Sequence, residues 1–379
     1  MIAAALVIAG CGTSGSSSGS ASSVTVSGNT LHIYLSIPAA LSSDPAAQDL
    51  VHAEELAFFA HHGEVKDFKL ALLPLQSNKV SDSARTAIQD TDAIAYLGEL
   101  APGHSDQTVG ITNAVDLLQI SPTDTALELS QATPVVKGSP QTYFEAWGTY
   151  GRTFVRMVPT SAQEAGALVS KMVALKLHSV YVQHDSSDYG RALALEVAEV
   201  AAHAGLTLTT HRAAADAIFY GTDSPKLAAG YFTAAAASDP RAKLFGSSAL
   251  NSGLFKPRLS AALIKNLYVT VPGFMPGALS PAGRAFQSAF TARYHHAPNV
   301  EAIFGYEAMS QLLAVLREAG KSANVRGTVV KDFLRSSRSG SVLGSYRIDS
   351  AGDTSLTAFV IEQLRGGRLV PVSAAPTAG

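Results

Sequence analysis

Apolar positions fall along this chain in two alternating rhythms. Beyond Gly28, short continuous runs read as strands: "LHIYLSI" (31–37), "FKLALLPL" (68–75), "AIAYLG" (93–98) and "LLQIS" (117–121). Between them the apolar residues recur at helical spacing. "AQDLVHAEELAFFAHHG" places Leu50, Glu54 and Ala57 on one stripe and stops at Gly63, a suitable C-terminal cap. A second series starts after Arg152: "TFVRMVP", a helix to Lys176, "SVYVQHD" (179–185), a helix to His203, "LTLTTH", "AIFYG" (217–221), a helix, "KLFGSS" and "NLYVTVP" (266–272). Three helix candidates follow Pro272, the longest being "AIFGYEAMSQLLAVLREAG", and then the strands "SYRID" and "FVIEQL". Strands alternating with helices predict parallel sheets covered by helices. The count predicts two α/β lobes, with the chain crossing between them near 155, 273 and 341. One lobe is then 29–155 with 273–340, the other 156–272 with 341–372, and 373–379 is a tail.

The first residues, "MIAAALVIAGCGTSGSSSGSASS", follow neither rhythm. The apolar run from Ile2 to Ala9 is far shorter than the about 20 residues of a membrane-spanning helix, and has the length of the core of a secretion signal. The sequence Ile8-Ala9-Gly10-Cys11 resembles the lipobox of bacterial lipoproteins. That resemblance implies removal of residues 1–10, a diacylglycerol on Cys11, and a protein held at the outer face of the cytoplasmic membrane. Residues 11–28 read as a Gly/Ser tether, because such residues bury little and lose much entropy on ordering. The G-x-S-x-G spelled by Gly15 to Gly19 lacks the strand and helix that this hydrolase motif needs.

Composition narrows the function. With 379 residues, 47% hydrophobic and 15% charged, the chain can build two substantial cores. A net charge of −2 with dispersed basic residues excludes an electrostatic footprint for nucleic acid. Cys11 is the one cysteine, so no internal disulfide can form and packing must supply the stability.

The stretch "YLGELAPGHSDQTVGITNAVDLLQISPTDTALELS" (96–130) resembles the branched-chain amino acid substrate-binding lipoproteins of ABC transporters, the Leu/Ile/Val-binding family with the type I periplasmic-binding fold. "RTFVRMVP", "VYVQHDSSDYGRALALEVAEVAAHAGL", "NVEAIFGYEAMSQLLAVLREAG" and "VLGSYRIDSAGDTSLTAFVI" share the likeness in order and spacing. The resemblance implies two lobes closing on a small ligand, an amino acid or related compound, which is passed to a membrane permease without chemical change. It implies no cofactor. Its runner-up is a ligand sensor of the same fold acting in signalling.

Open α/β sheets bind ligands beyond the carboxyl ends of their strands, so the residues there are the site candidates. Ser121-Pro122-Thr123-Asp124-Thr125 leaves a strand, carries alternate hydroxyls and is expected to begin a helix, a suitable seat for a carboxylate. In the family, the loop corresponding to Thr123 and Thr125 contacts the ligand; plain N-capping by Ser121, Thr123 or Asp124 is the alternative. Tyr189 matches a family tyrosine that lines the cleft, or else caps a turn beside Gly190. The chain departs from the leucine-binding pattern at Pro102, where a serine is usual, at Asp223, where a tyrosine is, and at Ser248, where a glutamate neutralises the ligand's ammonium. Asp223 could supply the missing anion or serve as the cap of the following helix. His104 and Ser105 lie near the Pro102 position and could replace its donor.

Other constellations read as structural. The pairs His61-His62 and His295-His296 have no second cluster at ligand spacing and are expected to be solvated, so no metal is expected. Glu54-Glu55 is expected on a solvated helix face, and Glu307 to be structural. The loop 136–151, with Trp147, either overhangs the cleft or covers an edge. With no nucleophile, base and orienting group coming together, no catalysis is expected.

Overall fold

The computed structural model describes residues 24–60, 64–145 and 151–376. Cys11 and the tether to residue 23, the pair His61-His62, the cap Gly63 and Trp147 lie outside the described residues.

The first lobe is built from β1 (Thr30–Pro38), α1 (Pro45–Ala60), β2 (Glu64–Val65), β3 (Phe68–Ser77), α2 (Val80–Gln89), β4 (Ala93–Leu97), α3 (Val109–Asn113), β5 (Leu118–Ser121) and β6 (Phe154–Arg156). Its six-stranded sheet runs β2-β3-β1-β4-β5-β6. All pairs are parallel except the β2–β3 hairpin, and Tyr34 is flanked by Leu73 and Tyr96. The chain then enters the second lobe through α4 (Ser161–Ala174), β7 (Ser179–His184), α5 (Asp188–His203), β8 (Thr207–Leu208), β9 (Ala217–Gly221), α6 (Pro225–Ser238), β10 (Lys243–Gly246), α7 (Ala261–Ile264) and β11 (Leu267–Pro272).

It returns to the first lobe with α8 (Pro281–Tyr294), α9 (Ala302–Ala319), α10 (Arg326–Phe333) and the hairpin β12 (Ser337–Ser341) and β13 (Gly344–Arg347). Finally β14 (Phe359–Arg365) and β15 (Arg368–Ala374) complete a seven-stranded sheet, β15-β14-β11-β10-β9-β7-β8, whose first two strands are antiparallel additions. Two mainly parallel sheets with helices on them agree with the alternating pattern. The continuous runs of β4 and β9 are buried at every position, as strands covered on both faces must be. In α9 fourteen of eighteen residues are buried, so this helix is wrapped by the first lobe's core rather than laid on it.

Three expectations are corrected. The third crossing is not near 341: Val342, Leu343, Tyr346, Ile348 and Leu356 pack in the first lobe's core, and the chain passes over only between Leu356 and Phe359. The polar β12–β13 hairpin carries no apolar periodicity that would have assigned it. The last strand continues to Ala374, beyond the expected tail boundary. Glu54 is not solvated. It lies on the same stripe as Leu50 and Ala57, is 1% exposed, and has no hydrogen-bond partner among the described residues for either carboxyl oxygen, so burial pushes its pKa well up. A Cβ placed on Gly305 of α9 would lie 2.8 Å from Leu50 O, so glycine lets α9 press onto α1 beside Glu54.

Candidate functional site

The carboxyl ends of the strands in both lobes face each other across a cleft of about 360 Å³. The first lobe contributes Asp44, Pro102 and His104, the second Asp223 and Ser248, and the segment before α9 contributes Glu301. Of the expected ligand residues, Asp223 and Ser248 therefore stand on the cleft wall. Ser224, not Asp223, is the cap of α6: its Oγ accepts from Leu227 N at 3.4 Å, with Pro225 at the first helical position. That leaves the Asp223 carboxylate for the cleft, half-buried and pushed up by burial, with the His104 charge opposing the shift.

Ser105, Ser121 and Thr123 are placed below the wall and hold the 99–105 loop. Ser121 Oγ and Thr123 Oγ1 donate to Glu99 O at 2.7 and 3.3 Å, while Ser105 Oγ accepts from Glu99 N at 3.3 Å. The Asp124 carboxylate accepts from Gly103 N and Ser105 N, each at 2.8 Å, and from Ala126 N at 3.0 Å. Gly103 has φ +78°, and a Cβ there would stand 2.7 Å from Tyr189 Cβ, so glycine alone lets this loop touch the second lobe. The helix expected after Thr125 is absent; one 3₁₀ turn, Leu127–Leu129, stands there. The segment's own backbone donors are already taken, Thr123 N and Asp124 N by Ser121 Oγ at 3.3 and 2.9 Å and Ala126 N by Asp124.

Thr125 and Tyr189 meet at a residue that sequence reasoning missed. Glu164, in the first turn of α4, is fully buried. Its Oε1 accepts from Ser248 N at 2.6 Å and Thr270 Oγ1 at 2.8 Å, and its Oε2 from Ser248 Oγ at 3.1 Å. Tyr189 OH and Thr125 Oγ1 each approach Oε2 to 3.4 Å. Burial pushes Glu164 up to about 7 despite these donors. In sequence it is one acidic residue in a helix's first turn, which the helix dipole alone accounts for. Tyr189 reaches it because α5 presses on β9: a Cβ on Gly190 would lie 2.7 Å from Gly221 O. Glu99 is the corresponding buried acid of the first lobe, accepting from Ser36 Oγ and Tyr96 OH at 2.7 Å and likewise pushed up to about 7.

Two further contacts tie the lobes together at the rim. Ser252 Oγ and Gly253 N, after β10, donate to Asp44 before α1. Asn251 Nδ2 donates to Glu301 Oε2 at 2.6 Å and Asn299 Oδ1 at 2.9 Å, and Asn251 Oδ1 accepts from Asn299 Nδ2 at 3.0 Å. Five such bonds at about 1 kcal/mol each outweigh the cost of ordering a few side chains. The double variant Asn251→Ala/Ser252→Ala is expected to shift the population toward an open form by at least about tenfold. Its radius of gyration in solution scattering should exceed that of the parent, and superimposable curves would remove these contacts as a latch.

The remaining readings resolve as follows. His295 is the left-handed cap of α8 and His296 faces Asp49 at 3.6 Å, both exposed. Glu307 accepts from Tyr346 OH at 2.8 Å inside the core, a structural role. Among the described residues, the cluster with ligand spacing is instead His32, Asp90 and Asp92. There Asp90 already contacts His32 Nδ1 and Tyr34 OH at 2.6 Å and accepts from Asp92 N at 2.8 Å. Tyr143 and Phe144 of the 136–151 loop pack against the second lobe's core.

A family profile described as "Periplasmic binding protein" matches residues 208–364. No curated protein matches the chain. Among solved structures, a leucine-binding protein from Thermotoga maritima is 17% identical with a TM-score of 0.71, over 91% of this chain and 98% of that one. An ABC transporter substrate-binding protein from Desulfitobacterium hafniense, in complex with leucine, is 20% identical with a TM-score of 0.68, over 90% and 100%. An ABC transporter solute-binding protein from R. palustris, in complex with benzoate, is 16% identical with a TM-score of 0.68, over 93% and 97%. The fold is shared with these structures over nearly the whole chain, and two mainly parallel sheets with a cleft at their carboxyl ends give it the two-lobed type I periplasmic-binding fold.

Proposed function

We propose that this protein is the solute-binding component of an ABC importer. It captures a small polar metabolite, an amino acid or a related carboxylic acid, between its lobes and delivers it unaltered to a membrane permease. The observation that carries this reading is the cleft itself, walled by Asp44, Pro102 and His104 on one side and Asp223 and Ser248 on the other. Its volume suits a compact metabolite, and two lobes facing each other across it can desolvate one by closing. Leucine and benzoate, held by the relatives, are both small carboxylates. Export and a lipid anchor on Cys11 complete the reading, since the lipobox-like Ile8-Ala9-Gly10-Cys11 precedes a tether long enough to hold the lobes beside a bilayer.

A thermal-shift panel of amino acids, amides, aliphatic acids and aromatic acids tests it, because a ligand of the folded state raises the melting temperature. At least one class should do so by several degrees; a flat panel counts against capture. For a zwitterionic ligand, Asp223→Ala is expected to weaken binding by about tenfold or more, as loss of a charge-assisted contact does. Unchanged affinity by calorimetry takes Asp223 out of the site. Mass spectrometry of the native protein should find Cys11 acylated.

A further inference from the structure

Beside the hinge, on the far side of the Asp44–Ser252 contact, lies a second and larger cavity of about 1010 Å³. Its walls come from α1, the loop after β10, the start of α8 and the β14–β15 hairpin, and it takes in Phe255, Phe274, Phe286 and His52. Its interior charges are carboxylates, while the basic residues on its lining, Lys256 and Arg368, are exposed.

Two of these acids are already engaged. Asp44 accepts from Ala46 N, Ser252 Oγ and Gly253 N. Asp49 accepts from Asn299 N at 2.7 Å and faces His296. Glu362 of β14 is different. It lines the same cavity, is 1% exposed, and its Oε2 has no hydrogen-bond partner among the described residues. Burying a carboxyl oxygen without a donor is unfavourable, and burial pushes Glu362 up to about 8. His52 Nδ1 is a second buried polar atom on this wall without a hydrogen-bond partner among the described residues.

We propose that this groove is a second binding site, distinct from the cleft, for a small organic cation with an apolar body, such as an arylalkylammonium. The ammonium supplies the donors that Glu362 Oε2 lacks and can contact the face of a phenylalanine ring. The hydrocarbon body displaces water from the phenylalanine walls. A carboxylate ligand of the same shape meets the carboxyl groups of Asp44, Asp49 and Glu362 and is disfavoured.

Calorimetry on the full chain with phenethylammonium as probe, and 3-phenylpropanoate as its anionic counterpart, tests this. Saturable binding of phenethylammonium is expected, with 3-phenylpropanoate at least about tenfold weaker. Glu362→Gln, which removes the carboxyl group's capacity to ionise against an ammonium but keeps the shape, should weaken the amine by about tenfold or more. Leu279→Trp, which fills the groove and leaves Glu362 in place, should abolish binding. The proposal is overturned if phenethylammonium does not bind up to about 10 mM, if both probes bind alike, or if a folded Glu362→Gln or Leu279→Trp variant binds the amine as the parent does.

Discussion

Arg156→Met is expected to lower the melting temperature by about 10 °C and to weaken binding of any cleft ligand. Arg156 ends β6 where the chain leaves the first lobe, and its side chain is fully buried. Nε pairs with Asp353 at 2.8 Å, Nη1 donates to Asp124 O and Ala126 O at 3.0 and 2.7 Å, and Nη2 donates to Ser130 Oγ at 3.0 Å. One guanidinium thus joins the first crossing, the third crossing and the loop that carries Thr125. Methionine fills much of the volume but leaves Asp353 as a buried charge with its partner gone, a change that typically costs about 3–5 kcal/mol. For large domains about 1 kcal/mol corresponds to about 2–4 °C. Lysine keeps the charge but not the fork of donors, so Arg156→Lys should recover little of the loss. Calorimetric scans within about 2 °C of the parent for both variants would show that the crossings do not depend on this residue.

Stability is expected to fall as the solution goes from pH 5 to pH 8, opposite to the behaviour of proteins stabilised by ion-paired carboxylates. Burial holds Glu99, Glu128 and Glu164 up at about 7 and Glu362 at about 8, and each is at most 2% exposed. A carboxyl group raised in the folded state contributes stability that is complete below its ordinary value near 4.5. That contribution is lost as pH rises through 7 and 8, because the unfolded chain then releases the proton more readily. Asp90 and Asp216 are lowered and act the other way, but their contribution is lost only below pH 4, outside this window. At about 1.4 kcal/mol for each tenfold difference in proton affinity, four groups differing only tenfold give about 5 kcal/mol. Denaturant midpoints measured at pH 5, 6, 7 and 8 should fall steadily, and Glu362→Gln should flatten the slope. Midpoints that rise with pH would mean that these acids are ionised and paired in the folded protein.

This unusual set of buried acids was barely legible in the sequence. Glu164 gathers Ser248 and Thr270 from 84 and 106 positions away, so its partners share no local pattern with it. Glu54 stood openly on an apolar helical stripe with Leu50 and Ala57, and only the habit of placing charges in solvent hid its burial. Tyr189, Thr125 and Ser248 were singled out as ligand residues, whereas Glu164, the partner all three contact, was not. Asp223 was left between cap and ligand until Ser224 proved to occupy the cap.

What the sequence alone determined is the set of strands and helices, their alternation and thus two lobes with parallel sheets. A strand buried on both faces must be a continuous apolar run, and a helix must repeat every three to four residues, so each element announces itself within a dozen positions. Only the tertiary structure decided which lobe takes the polar β12–β13 hairpin, which carboxyl groups lose their water, and how the acids divide between cleft, core and groove. Desolvation and hydrogen-bond satisfaction depend on what other segments bring to the same few ångströms, and residues hundreds of positions apart leave no mark of that meeting in the local order of the chain.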